Sequence, residues 1–491
     1  MASTFNLVRN SRVFFSTDVN ANTGNLPTAA ASMTTANTFE LAVLDGFSFS
    51  QGTQQQTIQL SEAGTSPTRG QRAFNTSLDP VDFSFSTYIR PYFSTDVKAE
   101  ESVLWNALLG ANAIDAGTAI TITSLTRAST TAYQATLSVT PAVNLTAAPA
   151  LAIGDIINLG SFVSGTTAAA EWAGPAKITT ATGGMGAATV LYLEYLTPPN
   201  AAATAAGIAG VAKIFKSPWF TQGTAVSQAA FAQVNSSMSN KNQLQKFGMY
   251  FYVDNALYAV DNCAMDSVSV DFSLDGIATA VWSGKATALR YISGGTVAAN
   301  GTFSGSGHTG TAAAKVNIAP SSYITNKLST MTLESQIMGT TFGGGTTYNV
   351  ALTGGNITIA NNINYVVPAN LGVVNTPIGY FTGTRAVSGN VTAYLRTGTN
   401  NTAQILSDIL TANAAETKFK VGIAVGGASN AVHADFIMRG AVLQVPTIET
   451  GDVMSTTINF NAQGYDPSLV GANAIYDIGQ TNDVTVNYYA V

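Results

Sequence analysis

Polar and apolar residues alternate with period two along most of this chain, in segments rich in Thr, Val, Ile, Phe and Tyr. That pattern predicts half-buried strands. Over residues 81–90 it places Phe83, Phe85, Thr87 and Ile89 on one face, and Lys246–Val253 predicts a second, more aromatic strand. Helical spacing is scarce. Its clearest instance is Glu100–Gly110, with a narrow stripe of Val103, Leu104, Ala107 and Leu108, two glutamates suited to a first turn, and Gly110 as a stop. A mainly β chain with isolated helices is expected.

The pattern also repeats. Tyr88-Ile89-Arg90 returns as Tyr394-Leu395-Arg396, and the helical stripe returns as Ile405, Leu406, Ile409 and Leu410. Lys246-Phe247 returns as Lys418-Phe419, while Asp275, Ile277, Thr279 and Val281 match Asp452, Met454, Thr456 and Ile458 at an offset of 177. Four matches in one order indicate two copies of one β unit. Tyr88 lies 187 residues before Asp275, but Tyr394 only 58 before Asp452, so the first copy holds an insertion. The expected division is a first unit over 1–110 and 217–292, an inserted β domain over 111–216, a Gly/Ser/Thr-rich linker over 293–320, and a second unit over 321–491.

Charge narrows the function. Only 10% of residues are charged, against about 25% in ordinary soluble domains. The net charge of −6 argues against a groove that grips nucleic acid through its phosphates. No run of 18 apolar residues suggests a membrane helix, and Met1–Asp18 lacks the pattern of a secretory signal. A surface so poor in charge is consistent with assembly into a larger object.

Candidate chemistry is sparse. His433 and Asp435 share a strand face, but no nucleophile elbow accompanies them, and they read as an ordinary surface or edge pair. A single cysteine, Cys263, and two histidines make a transition-metal site improbable. Gly305-Ser306-Gly307-His308-Thr309-Gly310 fits a dinucleotide fingerprint in letters only, because its flanks read as flexible linker. Asp254, Asp261, Asp266, Asp271 and Asp275 read as solvated turn and edge residues; carboxylates for acid–base work or Ca²⁺, and a channel lining that repels phosphate, are the alternatives. The long loop Ser61–Asn75 concentrates Arg69 and Arg72 around Gly70, and reads as a solvated loop or as a contact arm to another subunit.

Glu62-Ala63-Gly64, Pro67-Thr68-Arg69-Gly70, Phe74-Asn75 and residues 83–89 resemble the major tail tube proteins of long-tailed bacteriophages. The likeness is greatest to the duplicated, trimer-forming kind of siphophages, and extends through Val281-Trp282-Ser283-Gly284, residues 354–363, 377–383 and 446–450. It spares 111–216, an insertion larger than the family leads one to expect. The resemblance implies two tandem β-sandwich or half-barrel units, each with a flanking helix, and trimers that form pseudo-hexameric rings stacked into a hollow tube. It implies a structural virion protein without catalytic residues, cofactor or metal, made in the host cytoplasm. Tape measure protein and double-stranded DNA would occupy the lumen without specific binding, and tail terminator and tail-tip proteins would cap the ends. An adhesin or carbohydrate-binding β protein, with 111–216 as binding module, is the competing expectation.

Overall fold

The computed structural model describes residues 11–17, 31–44, 46–58, 72–93, 97–109, 118–127, 134–146, 151, 153, 156–163, 174–195, 210–216, 221–222, 230–235, 244–305, 307–315, 323–336, 347–369, 371, 374–411, 418–426, 432–451, 453–463 and 483–490. Its first half contains β1 (Ser11–Ser16), β2 (Thr38–Leu41), β3 (Ser48–Ile58), β4 (Arg72–Tyr88), α1 (Ser102–Leu109), β5 (Phe247–Val253), β6 (Ala256–Ser273), β7 (Thr279–Ala286) and β8 (Ala288–Ile292). The second contains β9 (Thr330–Gln336), β10 (Thr347–Tyr348), β11 (Leu352–Ala360), β12 (Ala386–Tyr394), α2 (Thr402–Thr411), β13 (Lys418–Val425), β14 (His433–Leu443), β15 (Thr447–Glu449), β16 (Ser455–Gln463) and β17 (Thr485–Ala490).

Both halves follow one path. The first pairs antiparallel in the order β2-β1-β5-β6-β7-β4-β3. The second runs β10-β9-β13-β14-β16-β12-β11, with β15 continuing β14 along β16. β8 lies on β6 as β17 lies on β14. In each half the helix lies between the fourth and fifth of these strands in chain order, β4 and β5 in the first and β12 and β13 in the second. Two copies of a mainly β unit are therefore built into one polypeptide.

The pairing corrects the sequence match by one residue. Tyr88 faces Thr279 and Tyr394 faces Ser455, so β7 corresponds to β16 at an offset of 176, not 177. Buried Trp282 is then the counterpart of buried Ile458, where the sequence match had set exposed Val281. One residue of slip in a strand exchanges its faces, so the distinction is physical. At the corrected offset a Phe–Gly cross-strand pair changes sides: Phe83 of β4 covers Gly284 of β7, and Phe460 of β16 covers Gly389 of β12. A Cβ on Gly284 would meet Phe83 Cζ at 2.2 Å, and one on Gly389 would meet Phe460 Cζ at 2.5 Å. The aromatic ring needs the missing side chain in both units.

One continuous apolar core serves both halves. α1 is buried at all eight residues, so its contact surface is far wider than a stripe, and it begins after Glu100 and Glu101. Trp105 meets Trp282 edge to face at 5.0 Å and donates from Nε1 to the Tyr488 hydroxyl at 2.6 Å. The expected linker is also corrected. Thr296–Val297, Thr302–Ser304 and His308–Thr311 form a four-stranded sheet with Ala31–Met33. Phe303 packs on Phe14 at 4.8 Å and Tyr250 at 5.3 Å, and His308 is buried. Gly310 (φ +116°) runs so close to the neighbouring strand that a Cβ would fall 2.2 Å from the Met33 carbonyl oxygen. Close strand approach, not a phosphate, explains that glycine.

Within the segment read as an insertion, six strands close into a barrel in the order Ile156–Val163, Gly174–Thr182, Ala188–Tyr195, Gln134–Val143, Thr118–Arg127, Gly210–Lys216. Leu125, Leu137, Ile157, Leu159, Ile178 and Leu191 fill it with a core of its own. Closure removes sheet edges, which suits a module carried on another fold.

Candidate assembly surface

The sheet running β3-β4-β7-β6-β11-β12-β16-β15 has one face on the core. Its other face is set by the alternation and is almost entirely hydroxyl and amide. Ser48, Ser84, Ser283 and Ser267 lie side by side across four strands. A parallel row reads Ser86, Val281, Ser269, Thr358, Ser388 and Asn461, and a third brings Asn356, Asn390 and Asn459 together. These side chains satisfy one another: Ser48 with Ser84 at 2.8 Å, Ser267 with Ser283 at 2.7 Å, and Asn390 Nδ2 donating to Asn356 Oδ1 at 3.0 Å. Charge is nearly absent here. Lys285 is answered by Asp82 at 2.9 Å, and two further acids, Asp271 and Glu449, occupy equivalent positions on β6 and β15. Such a face is wet and offers a polyanion no uncompensated cation among the described residues.

The two units meet through a ladder as regular as any within them. β6 pairs with β11 from Ser267 opposite Ala360 to Ser273 opposite Gly354. The connection after β11 then reaches back over the first unit. Tyr365 donates its hydroxyl proton to the Asn262 carbonyl at 2.8 Å, Tyr380 donates to the Leu244 carbonyl at 2.7 Å, and Asn361 donates to the Leu108 carbonyl at 2.7 Å. Asn375 adds a bridge to Ser77 on β4.

The counterparts of these partners lie open. β3, which corresponds to β11, pairs only with β4 among the described strands and is exposed over most of its length. β15, which corresponds to the C-terminal half of β6, is exposed at all three residues. Ile448 and Val445 are 47% and 54% exposed. A chain with one satisfied junction and its two complementary halves left free is a repeating piece of a larger wall.

Beneath this wall lies a buried polar group. Glu101 accepts a hydrogen bond from the Tyr488 hydroxyl at 2.6 Å, tying α1 to β17. Beside it Glu100 is ion-paired with Arg90, whose Nη1 donates to the Tyr323 hydroxyl at 3.1 Å. Burial pushes the Glu101 carboxyl up to about 7, overcoming the hydrogen bond from Tyr488. Its folded pKa thus exceeds its unfolded value of 4.5. The stabilisation from proton binding is complete below the unfolded value and is lost as pH rises through 7, at most about 3 kcal/mol. Calorimetry should find that the unassembled chain loses thermal stability from pH 5 to 8, and that Glu101→Gln flattens this slope. An unchanged slope in the variant would reject the assignment.

The other sequence candidates are dispersed. His433 is buried on β14, between β13 and β17, with Nε2 3.7 Å from Asp435 Oδ1; it is an interior residue, not a surface or edge one. Of the five aspartates, Asp261 is buried against Arg290 at 2.5 Å, and Asp266 accepts from the Ile363 amide at 2.7 Å at the unit junction. Only Asp254, Asp271 and Asp275 fit the solvated reading. Cys263 is buried, and its thiol is pushed well up by desolvation. Among the described residues no group of three metal-ligating side chains occurs, and no helix is long and apolar enough to cross a membrane. Arg69 and Gly70 lie outside the described residues, while Arg72 opens β4.

Open strand edges, a hydroxyl-coated wall and an internal duplication define a structural β protein built for self-assembly. No family model matches the chain. It is 24% identical to Tail tube protein pb6 of Escherichia phage T5, over 98% of this chain and 78% of that protein. Across nearly its whole length, therefore, the chain is similar to a phage tail tube protein.

Proposed function

We propose that three copies of this chain close into a pseudo-hexameric ring, and that rings stack into the hollow tube through which the genome leaves the virion. The observation that carries this is the β6–β11 ladder. Applying its geometry to the open counterparts sets β3 of one copy against β15 of the next, with Ser50 opposite Thr447 as Thr358 stands opposite Ser269 within the chain. The same repetition sets Phe49 against Ile448, apolar on apolar, and Ser48 against Glu449 on the polar face. Polar and apolar faces match without adjustment, which an arbitrary register would not give.

The loop with Arg69, Gly70 and Arg72 joins β3 to β4, the counterpart of the connection that reaches back from β11. It therefore serves as a contact arm onto the next copy. The hydroxyl face becomes the lumen wall, where DNA and tape measure protein slide without specific binding; terminator and tip proteins close the ends. Residues 111–216 form a domain inserted in the first unit, outside the wall and without a catalytic role. Electron microscopy of the assembled protein tests the reading: hollow tubes with three-fold rings are expected, and a monodisperse monomer under assembly conditions would reject it.

A further inference from the structure

One of the two units is closed at its side within the chain, and the other is left open. Each has an outer sheet whose core face carries one cross-strand row. In the first unit the row is Val13, Phe251, Tyr258 and Tyr291, across β1, β5, β6 and β8. In the second it is Met331, Ile423, Phe436 and Val486, across β9, β13, β14 and β17. The far ends of these equivalent rows differ in burial. Phe436 and Val486 are fully buried, whereas Tyr258 is half-buried and Tyr291 is 60% exposed. Phe49, 5.3 Å from Tyr258, is half-buried too, although its counterpart Ile357 is buried.

What closes the second unit is the helix of the first. α1 sets Trp105 6.3 Å from Phe436, and the Trp105 indole and Glu101 both bond to the Tyr488 hydroxyl, on the same face of β17 as Val486. α2 has no such cover among the described residues. Ile405 and Ile409 turn into its own unit, and Asp408 accepts from the Tyr348 hydroxyl at 2.7 Å. Ala403 and Leu406 stay half-buried and Ser407 exposed, whereas α1 is buried all round.

We propose that α2 of one copy closes the open side of the first unit in the next, seating Ala403, Leu406 and Ser407 on Tyr258 and Tyr291. The first unit is then completed in trans by the device that completes the second in cis. Two observations select a second copy as the occupant. The open aromatic patch borders β3 through Phe49, and α2 belongs to the unit that carries β15. The two surfaces that a β3–β15 ladder brings together are therefore the two left open. Sizes match as well: α1 brings Trp105 to Phe436 and Val486, whereas α2 has no aromatic residue and the first unit offers Tyr258 and Tyr291 in those places. The same space is filled from the sheet instead of from the helix. This placement rests on the ring reading above.

Tyrosine nitration read by mass spectrometry tests this on the unaltered chain. Tyr291 should react in the unassembled protein and lose most of that reactivity in tubes, while Tyr192 on the barrel, 40% exposed, reacts equally in both. A Tyr291 as reactive in tubes as in the free chain would overturn the proposal. A Tyr291→Cys, Ser407→Cys chain, assembled and treated with a short thiol-reactive cross-linker, locates the cover, and a Ser50→Cys, Thr447→Cys chain beside it reports the ring ladder. Closed trimers from both support the docking. Trimers from the ladder pair alone overturn the helix cover and leave the ring standing. Species larger than three from the Tyr291 pair would place the contact between rings and overturn this site. Absence of both products removes the ring reading and the cover with it. Finally, Tyr291→Ala should lower the melting temperature of tubes and spare the unassembled chain, whereas Val486→Ala lowers both. Equal losses from Tyr291→Ala in tube and free chain would count against completion in trans.

Discussion

Tubes assembled from a Ser50→Cys, Thr447→Cys chain should run, after cross-linking, as closed trimers on a denaturing gel, while either single variant stays monomeric. The pair is the intermolecular image of Thr358 and Ser269, whose hydroxyls lie 3.4 Å apart inside each chain. Cysteines at those two positions should therefore link within a monomer and serve as the internal standard. Cys263 is fully buried and contributes no background. The outcome separates closed from open symmetry: a heterologous contact that fails to close yields a ladder of ever longer species. Such a ladder, or no product, would refute the ring. A trimer would also fix the strand register, because one residue of slip would turn Thr447 away from the polar face.

Lysines on the hydroxyl face should change passage without changing assembly. Ser269→Lys with Ser388→Lys adds two cations to one cross-strand row, hence six per ring of three. Wild-type tubes should retain no duplex DNA. The double variant should hold it at low salt and release it on raising salt, weakening about a thousandfold between roughly 50 and 200 mM. Retention of a fluorescent duplex measures this, and phage carrying the variant should eject more slowly. Identical behaviour of the two tubes would mean that this face does not line the lumen. A fall in tube yield alone would point instead to a packed interface at Ser269 and Ser388.

Much of the fold was legible because core-facing alternation survives in the letters. Phe83, Phe85 and Ile89 and the phenylalanines of the two Lys-Phe strand starts, Phe247 and Phe419, mark faces that the structure buries. The offset of 177 failed by one because Thr and Val serve on either face of a strand, so letters alone match across the pleat. The stretch 293–320 misled through its Gly, Ser and Thr content, although Val297, Phe303 and Ala312 supply the buried side of its sheet. Glu101 read as a helix-start carboxylate because its partner, Tyr488, lies 387 residues away. The Ser/Thr/Asn alternation of the wall was equally visible, but which face meets a lumen depends on how sheets from different halves join. The arginine loop stood out in sequence, yet the role proposed for it rests on the position of its counterpart after β11.

The joint between the two units also has a kinetic consequence. Because β6 and β11 belong to one polypeptide, half of the contacts around a ring would form as the chain folds, at the effective concentration of tethered partners. Only three encounters between separate molecules would then complete a circle that unlinked units would need six to close. Covalent linkage also frees the halves to differ, so in the proposed ring the six-stranded barrel would sit on alternate units, and each turn of the wall would carry three bulky ornaments with a bare unit between neighbours.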